Sequence, residues 1–404
     1  MNQLVKMAIR DLGRNRRRSF FSSLALGLGL ALMITMAAVI KGEMSGAMDT
    51  TIRLQSGHLQ IRAKSYEESK TSLKWEDLVE NPVEIADQIA SLDPVLAASP
   101  RLFASGIVSV RDKSTGVRIF GIDPLSEVNA PYRIGLIEGS FVNADDREGV
   151  LIGQPLAEKL GVKVGEQINL SINTSDGDVN EQVFIIRGIY STRTNAFDSL
   201  TVFLPIAKAQ TITKTENHAS TIFVLLKDKN QTDAVISALQ SSRYEVLDWI
   251  NMNDLIIKTE EMANSYMNLF YLIVLGITAT VIVNTLIMSV FERTREIGIL
   301  SAIGMKSRSI MAMFLAETSL LAIGGIVMGV ILGLFAVGYL AKVGIYVGNM
   351  GLTMLFGNYI YPELTFADAL KTTIFAFIIT LLAGIYPAVI ASRMEPVQAM
   401  RGGK

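Results

Sequence analysis

The sequence predicts an integral membrane α-helical protein with four transmembrane helices and a large α+β extracytoplasmic domain between helices 1 and 2. Three observations predict it: four long uncharged apolar runs, a polar insert of about 220 residues between the first two, and an uneven placement of Lys and Arg. With 404 residues, 50% hydrophobic and 19% charged, the chain is too apolar for an ordinary soluble enzyme and too charged for a pure membrane bundle.

Residues 1–19 hold six basic residues, Lys6, Arg10, Arg14, Arg16, Arg17 and Arg18, and read as a cytoplasmic basic N-terminus. A basic stretch directly before an apolar run is a topology anchor rather than a nucleic-acid patch. The first span, 20–40, is longer than a signal-peptide core and no A-x-A site follows it, so it reads as an uncleaved signal anchor. The second uncharged run starts at Met262, giving a span at 266–291; the third and fourth spans are 318–341 and 372–392. Each suffices to cross a bilayer core of about 30 Å as a helix. A fifth uncharged run, Val343 to Pro362, carries Gly344, Gly348, Gly351, Gly357, Asn349 and Asn358, and reads as an outer loop within 342–371, with Tyr346, Tyr359 and Tyr361 at the interface.

Charge chooses four spans over five. The loop 292–317 carries Arg293, Arg295, Lys306 and Arg308, the tail 393–404 carries Arg393, Arg401 and Lys404, and the loop 342–371 only Lys342 and Lys371. Four spans place the basic segments together on the cytoplasmic side, with both termini inside and the protein in the cytoplasmic (inner) membrane. The insert, 41–265, holds 22 Lys and Arg against 31 Asp and Glu, a net of −9 in a chain whose total is −1. A long domain is exported largely regardless of charge, so the insert is expected in the periplasm.

Within the insert, amphipathic Val83 to Leu92 leads into apolar Val95 to Val110, and strand-like Thr221 to Leu226 leads into amphipathic Thr232 to Leu239 and strand-like Tyr244 to Trp249. These form one α+β subdomain. Between them, Gly149 to Gly153, a short helix Pro155 to Leu160 stopped at Gly161, Gln167 to Ile172 and Gln182 to Tyr190 predict a β-rich subdomain inserted at about 134–207. Asn173 to Asn180, with Asp176, Gly177 and Asp178, is a hairpin tip, read either as a solvated turn or as a partner contact.

Much chemistry is excluded. With no cysteine there is no disulfide, thiol nucleophile or Cys-ligated metal, and His58 and His218 alone support no metal site or Ser-His-Asp arrangement. There is no G-x-x-x-x-G-K-[ST], so no ATP site of its own, and no H-E-x-x-H or G-x-S-x-G. His58 opens an apparent strand and is read as structural. The span interiors hold no ionisable residue, with Glu317 at the boundary of the third, which argues against ion-coupled transport and for an external energy source acting on apolar cargo. Gly325, Gly329 and Gly333 form a small-residue stripe, and Ser23 with Gly27 a shorter one, suited to packing within the chain or to a subunit seam. Asn284 either bonds across helices or lines a cavity.

After the second span comes N-x-L-x-M-x-V-x-E-R-x-R-E-I-G-I-L-x-A-I-G-M, from Asn284 to Met305. Charges on its first turn and Ile297, Leu300 and Ile303 on one side describe a short amphipathic helix, which composition alone would allow to be an idle interfacial one. The motif is very similar to the stretch after the second span in FtsX-like and MacB-type ABC permeases. The ending Tyr386-Pro387-Ala388 through Arg393-Met394-Glu395-Pro396-Val397 to Arg401 resembles the same family, and Gly57-His58-Leu59-Gln60-Ile61 with Lys64, Tyr66 and Glu67 resembles its lipoprotein-releasing (Lol-type) branch.

The resemblance implies a coupling helix that docks on a separate cytoplasmic ABC ATPase dimer, with Glu292, Arg293, Arg295, Glu296, Ile297, Gly298, Leu300 and Met305 as the docking set. It implies a porter subdomain with a Sabre-like insertion, a second permease chain, identical or paralogous, and ATP with Mg on the partner ATPase, no cofactor being bound by this chain. MacB proteins carry a fused N-terminal ATPase, whereas this chain starts 19 residues before its first span. The implied function is extraction of a lipoprotein from the outer leaflet, with Leu24, Leu28, Met33, Met36, Met267 and Leu272 lining an acyl-chain cavity. The short acidic tip lacks the longer hook by which the branch recruits a soluble periplasmic carrier. Two other readings stand beside it: a mechanotransmitter that regulates an envelope enzyme or drives efflux without carrying substrate, and a membrane-anchored enzyme.

Overall fold

A computed structural model describes residues 7–8, 10, 13–14, 16–67, 71–239, 243–347 and 359–394. Lys6, the loop residues Gly348, Asn349, Gly351, Gly357 and Asn358, and the ending from Glu395 onward lie outside the described residues. The chain divides into two compact units, one of residues 1–45, 259–345 and 360–404, the other of residues 46–258 and 346–359.

Four helices are long and apolar enough to cross a membrane, Arg16–Ser56 including its last, π-helical turn, Asp254–Glu292, Ser307–Val343 and Phe366–Ser392, and the first unit is built on them up to residue 45 of the first and from residue 259 of the second. The first spans 41 residues, about 60 Å at 1.5 Å per residue, roughly twice a bilayer core. The sequence reading stopped it at residue 40 because charge begins at Lys41. The helix continues because nothing in Lys41 to Thr51 breaks it, and Lys41 pairs with Glu260 of the second helix at 3.5 Å.

Small residues set the packing of this unit. A Cβ added at Gly325 would lie 2.8 Å from Ser23 O, one at Gly329 2.7 Å from Gly27 O, and one at Gly333 3.1 Å from Ile34 Cβ. The stripe is therefore the seam between the third and first helices of one chain, which resolves the alternative in favour of intrachain packing. Ser22 Oγ and Thr285 Oγ1 share a hydrogen bond at 2.6 Å, and Ser23 Oγ donates to Leu321 O at 3.2 Å. Such contacts replace the hydrophobic drive that lipid denies to helix association. Leu30, Met33, Ile34, Leu275 and Val337 fill the bundle centre.

The second unit holds a ten-stranded sheet. Its strands are β1 (Leu59–Ala63), β3 (Val95–Val110), β4 (Lys113–Ile122), β5 (Leu136–Gly139), β6 (Gly149–Gly153), β7 (Gln167–Asn173), β8 (Val179–Tyr190), β9 (Thr201–Pro205), β11 (Thr221–Leu226) and β12 (Tyr244–Asp248), while β2 (Val79–Glu80) and β10 (His218–Ala219) pair apart from it. The order runs β12-β1-β11-β3-β4-β9-β6-β8-β5, with β7 joining β3 to β8. β3 has two partners on one edge: its first half pairs with β11 and its second half with β7.

Two of the three cores of this unit follow from that division; the third gathers Leu54, Phe120, Tyr132, Tyr190 and Phe203. Leu59, Ile61, Val95, Ile222 and Val224, under the helices Pro82–Ala90 and Thr232–Leu239, form one. Val108, Val150, Ile152, Leu170, Phe184, Ile186 and Val202, under Gln154–Leu160 and Ile206–Thr213, form the other. The second core already includes Leu102, Ala104, Val117 and Ile119. It thus begins before residue 134, the start inferred from sequence, because β3 is one unbroken strand serving both lobes. In the segment 342–371, the short strands Ile345–Tyr346 and Tyr359–Ile360 pair, so this stretch is more than a plain loop.

Candidate functional site

The second long helix ends at Glu292, and after Arg293, in a non-helical conformation at φ −112°, the chain starts the short helix Thr294–Ala302. Gly304, at φ +96°, ends that turn in the left-handed region open to glycine. The third long helix starts at Ser307.

One side of the short helix is locked down. Ile297 is 1% exposed and packs with Val290, Ile310, Met313, Phe314, Ala388 and Ala391, with Met305 half-buried beside them. Arg293 is buried and forms an ion pair with buried Glu317 at 3.6 Å, while Ser289 Oγ donates to Glu317 at 3.4 Å. Arg293 Nε also donates to Glu296 at 3.2 Å. Glu317, placed by the sequence at a span boundary, is thus the anchor of the segment.

A second lock comes from the N-terminal arginines. Arg14 pairs with Glu296 at 2.7 Å and Arg18 with Glu292 at 2.9 Å. Arg14 and Arg18 are four positions apart, as are Glu292 and Glu296, and the two bonds run in opposite sequence order. The Arg14 guanidinium, helped by Arg293, holds the Glu296 carboxyl below the usual carboxylate range against the opposing effect of burial.

These contacts divide the expected docking set. Arg293, Ile297 and Gly298 are buried, Leu300 and Met305 are half-buried, and Glu292 and Glu296 are exposed but engaged with the N-terminal arginines. The open face consists of Arg295, Ile299, Ala302 and Ile303, with Ile299 43% and Ile303 80% exposed. These positions follow i, i+4, i+7 and i+8, one stripe of a helix. Sequence reasoning missed Ile299 because it phased the apolar face on Ile297; the same periodicity started from Arg295 finds it.

The six acyl-chain residues do not form one surface. Met33 and Met267 are buried in the bundle, Leu24 is half-buried, and Leu28, Met36 and Leu272 are exposed. Met33 is fully enclosed with Leu30 and Ile34, so in this structure it packs helices. Asn284 bonds across no helix in the described geometry; it lies exposed in line with exposed Gly276 and Thr280. A Cβ added at Gly276 would meet nothing within 4 Å.

The hairpin tip is engaged with its own domain. Lys214 Nζ lies 2.7 Å from Asp176 and 3.9 Å from Asp178, Ser175 N donates to Thr213 O at 2.9 Å, and Gly177 takes φ +85°. Lys214 lowers the Asp176 carboxyl pKa through that contact. His58 accepts from Leu226 N through Nδ1 at 3.1 Å, a structural bond just ahead of β1.

Residues 19–242 match the family described as MacB-like periplasmic core domain, and residues 268–396 match the FtsX-like permease C-terminal domain. The chain belongs to this FtsX-like, MacB-type family of ABC-transporter permeases. It is 23% identical to the lipoprotein-releasing system transmembrane protein LolC of Xylella fastidiosa, over 98% of each chain. It is 24% identical to the macrolide export ATP-binding/permease protein MacB of Acinetobacter baylyi, over 99% of this chain and 59% of that one, so it spans about three-fifths of that relative. The crystal structure of the periplasmic region of MacB from Actinobacillus actinomycetemcomitans matches with a TM-score of 0.34 and 16% identity, over 52% of this chain and 95% of the other. Membership rests on the sequence families and not on that superposition.

Proposed function

We propose that the chain is the transmembrane subunit of an ATP-driven transporter that extracts lipoproteins from the outer leaflet of the cytoplasmic membrane for release. The carrying observation is the short helix Thr294–Ala302, fixed on one side by Ile297 and Arg293 and open along Arg295, Ile299 and Ile303. A rigid support behind an exposed aliphatic pair flanked by a cation suits a protein partner, here a separate ABC ATPase dimer that carries the ATP and Mg. The similarity to LolC, whose name describes lipoprotein release, supports the cargo.

In this reading both termini and the short helix face the cytoplasm and the sheet domain faces the periplasm, as the basic segments favour. The exposed Gly276, Thr280 and Asn284 stripe supports a second permease chain, because a polar amide on an outward face of an apolar span needs a partner other than lipid. Leu28, Met36 and Leu272 stay as acyl-chain contacts. A soluble periplasmic carrier would engage surfaces other than the engaged Asp176 and Asp178 tip.

One observation favours the second reading, mechanotransmission without cargo in the membrane: burial of Met33 and Met267 shrinks the acyl-contact set. Purification from the native host in nanodiscs, with mass spectrometry of everything bound, tests both. An ATPase recovered with triacylated lipoproteins supports extraction; the ATPase with an efflux adaptor or envelope hydrolase, and no lipoprotein, overturns it.

A further inference from the structure

Where the first long helix becomes the first strand, the chain makes a π-helical turn, Ile52–Ser56, with Gly57 N donating to Ile52 O at 2.8 Å. Gly57, at φ +68° and with Val224 O 2.9 Å from where a Cβ would stand, turns the chain from helix into sheet. Carbonyls at such a helix end need partners. That of Leu54 has two, since Arg101 Nη1 donates to it at 2.9 Å and so does the Tyr132 hydroxyl.

Arg101 stands on β3 and is fully buried. Its Nη2 donates to Asn129 Oδ1 at 3.0 Å, and its guanidinium lies 3.6 Å from the Phe223 ring centroid. An apolar residue of similar volume would fill this space without the cost of burying a charge. What the cation adds is a grip on a main-chain oxygen of the helix end. Next to it, Asn253, immediately ahead of the second long helix, donates to Ser56 Oγ at 3.1 Å. The π-turn is thus held at two positions two residues apart, Leu54 by Arg101 and Tyr132 and Ser56 by Asn253, and β3, which carries Arg101, serves both lobes.

We propose that Arg101 is a positioning residue that transmits displacement of the first long helix to the sheet domain by holding the Leu54 carbonyl. The π-turn closes its hydrogen bond, Gly57 N to Ile52 O, over one residue more than an α-turn, and such turns are frequent at functional sites. Arg101 moves with that carbonyl and takes β3, hence both lobes, along. This rests on the reading of the chain as an ATP-driven permease.

The chain has no cysteine, so Leu32→Cys and Asp112→Cys can carry two spin labels in the complete transporter, permeases and ATPase together, in nanodiscs. Pulsed EPR distances with and without ATP plus vanadate then report movement, alongside ATP turnover and thermal unfolding. The expected result is an ATP-driven shift in the labelled background that is lost in Arg101→Met and Arg101→Gln while ATP turnover persists, with partial recovery in Arg101→Lys, which keeps a charged donor. Arg101→Gln keeps a neutral buried donor too short to reach the Leu54 carbonyl as the guanidinium does, so it decides the matter if Arg101→Met fails to fold; Tyr132→Phe, which leaves the Arg101 bond to Leu54 in place and keeps its ring against Tyr190 and Phe203, retains the shift. A shift as large in folded Arg101 variants as in the background overturns the role of Arg101 and leaves the permease reading standing. A background that turns over ATP without any shift overturns the inference, and a background with no ATP turnover overturns the permease reading itself.

Discussion

Arg14 and Glu296, 282 positions apart, meet at 2.7 Å, so the N-terminal segment holds the short helix on which the proposed ATPase docks. Arg18 and Glu292 repeat the contact one turn away at 2.9 Å. Arginines read from sequence as a topology signal thus have a second task inside the fold.

Reversing Arg14→Glu or Glu296→Arg weakens ATPase association, and combining both restores part of it. Exposed pairs of this kind are each worth about 0.2–1 kcal/mol, so each single change costs about fivefold at most in affinity. Titration of the ATPase against the nanodisc-bound permease checks this, and the effect fades as salt is raised. Because the Glu296 pKa is depressed, its contribution is complete above the ordinary carboxylate range and is lost as pH falls through the lowered value.

Glu317→Gln removes the buried one of the two carboxylates that face buried Arg293, leaving the exposed Glu296, and so costs up to the about 3–5 kcal/mol seen on breaking buried pairs. Thermal unfolding in detergent is expected to drop by several degrees. The double change Arg293→Met with Glu317→Leu recovers most of the loss, because neither charge then needs solvation. Failure of the double to recover would show that Glu317 acts through something other than the pair.

Ile303→Asp abolishes copurification of the ATPase at unchanged melting temperature, since Ile303 is 80% exposed. Ile297→Ala behaves oppositely: it opens a cavity in the cluster of Val290, Phe314 and Ala388 and destabilises the protein by about 2–5 kcal/mol. Running both in one pull-down and melting series separates docking from packing.

Gly329→Leu disrupts folding, because even its Cβ would lie 2.7 Å from Gly27 O, a main-chain atom that moves only with its helix. Gly338→Ala, where nothing lies within 4 Å, is neutral or slightly stabilising. Yield and monodispersity after solubilisation distinguish them.

Asp198, fully buried, accepts from Thr192 N at 2.9 Å, Thr192 Oγ1 at 2.7 Å and Ser191 Oγ at 3.3 Å. Burial outweighs those bonds and pushes its carboxyl up to about 6. The unfolded chain ionises Asp198 near pH 4, so stability falls between about pH 4 and 6 and stays lower above by up to about 3 kcal/mol. Thermal unfolding of the full chain across pH 4–7 should show this slope, and Asp198→Asn should flatten it.

The sequence revealed the four apolar helices and most strands because membrane spans and half-buried strands leave simple periodic signals. Lys41 shows the limit: charge marks where apolar solvent ends, while the helix itself continues to Thr51. The phase of the short helix was misread because Ile297, Leu300 and Ile303 are chemically alike, and only Phe314 and Ala388 from distant segments decide which is covered. Likewise the partners of Arg14, Arg18, Lys214 and Arg101 lie tens to hundreds of residues away, and no local pattern names them.

The first helix is roughly twice as long as a bilayer core is thick, so in the proposed transmission it serves as a lever as well as an anchor. From Lys41 to Ser56 it extends some 24 Å past its last apolar turn at 1.5 Å per residue. A tilt of about 10° at the membrane surface would sweep Leu54 sideways by about 4 Å, more than a hydrogen-bond length, with no change in the length of the rod. In that proposal the stroke depends on the overhang, so inserting or deleting one helical turn between Lys41 and Thr51 is expected to rescale it while the Arg101 bond to Leu54 stays as it is.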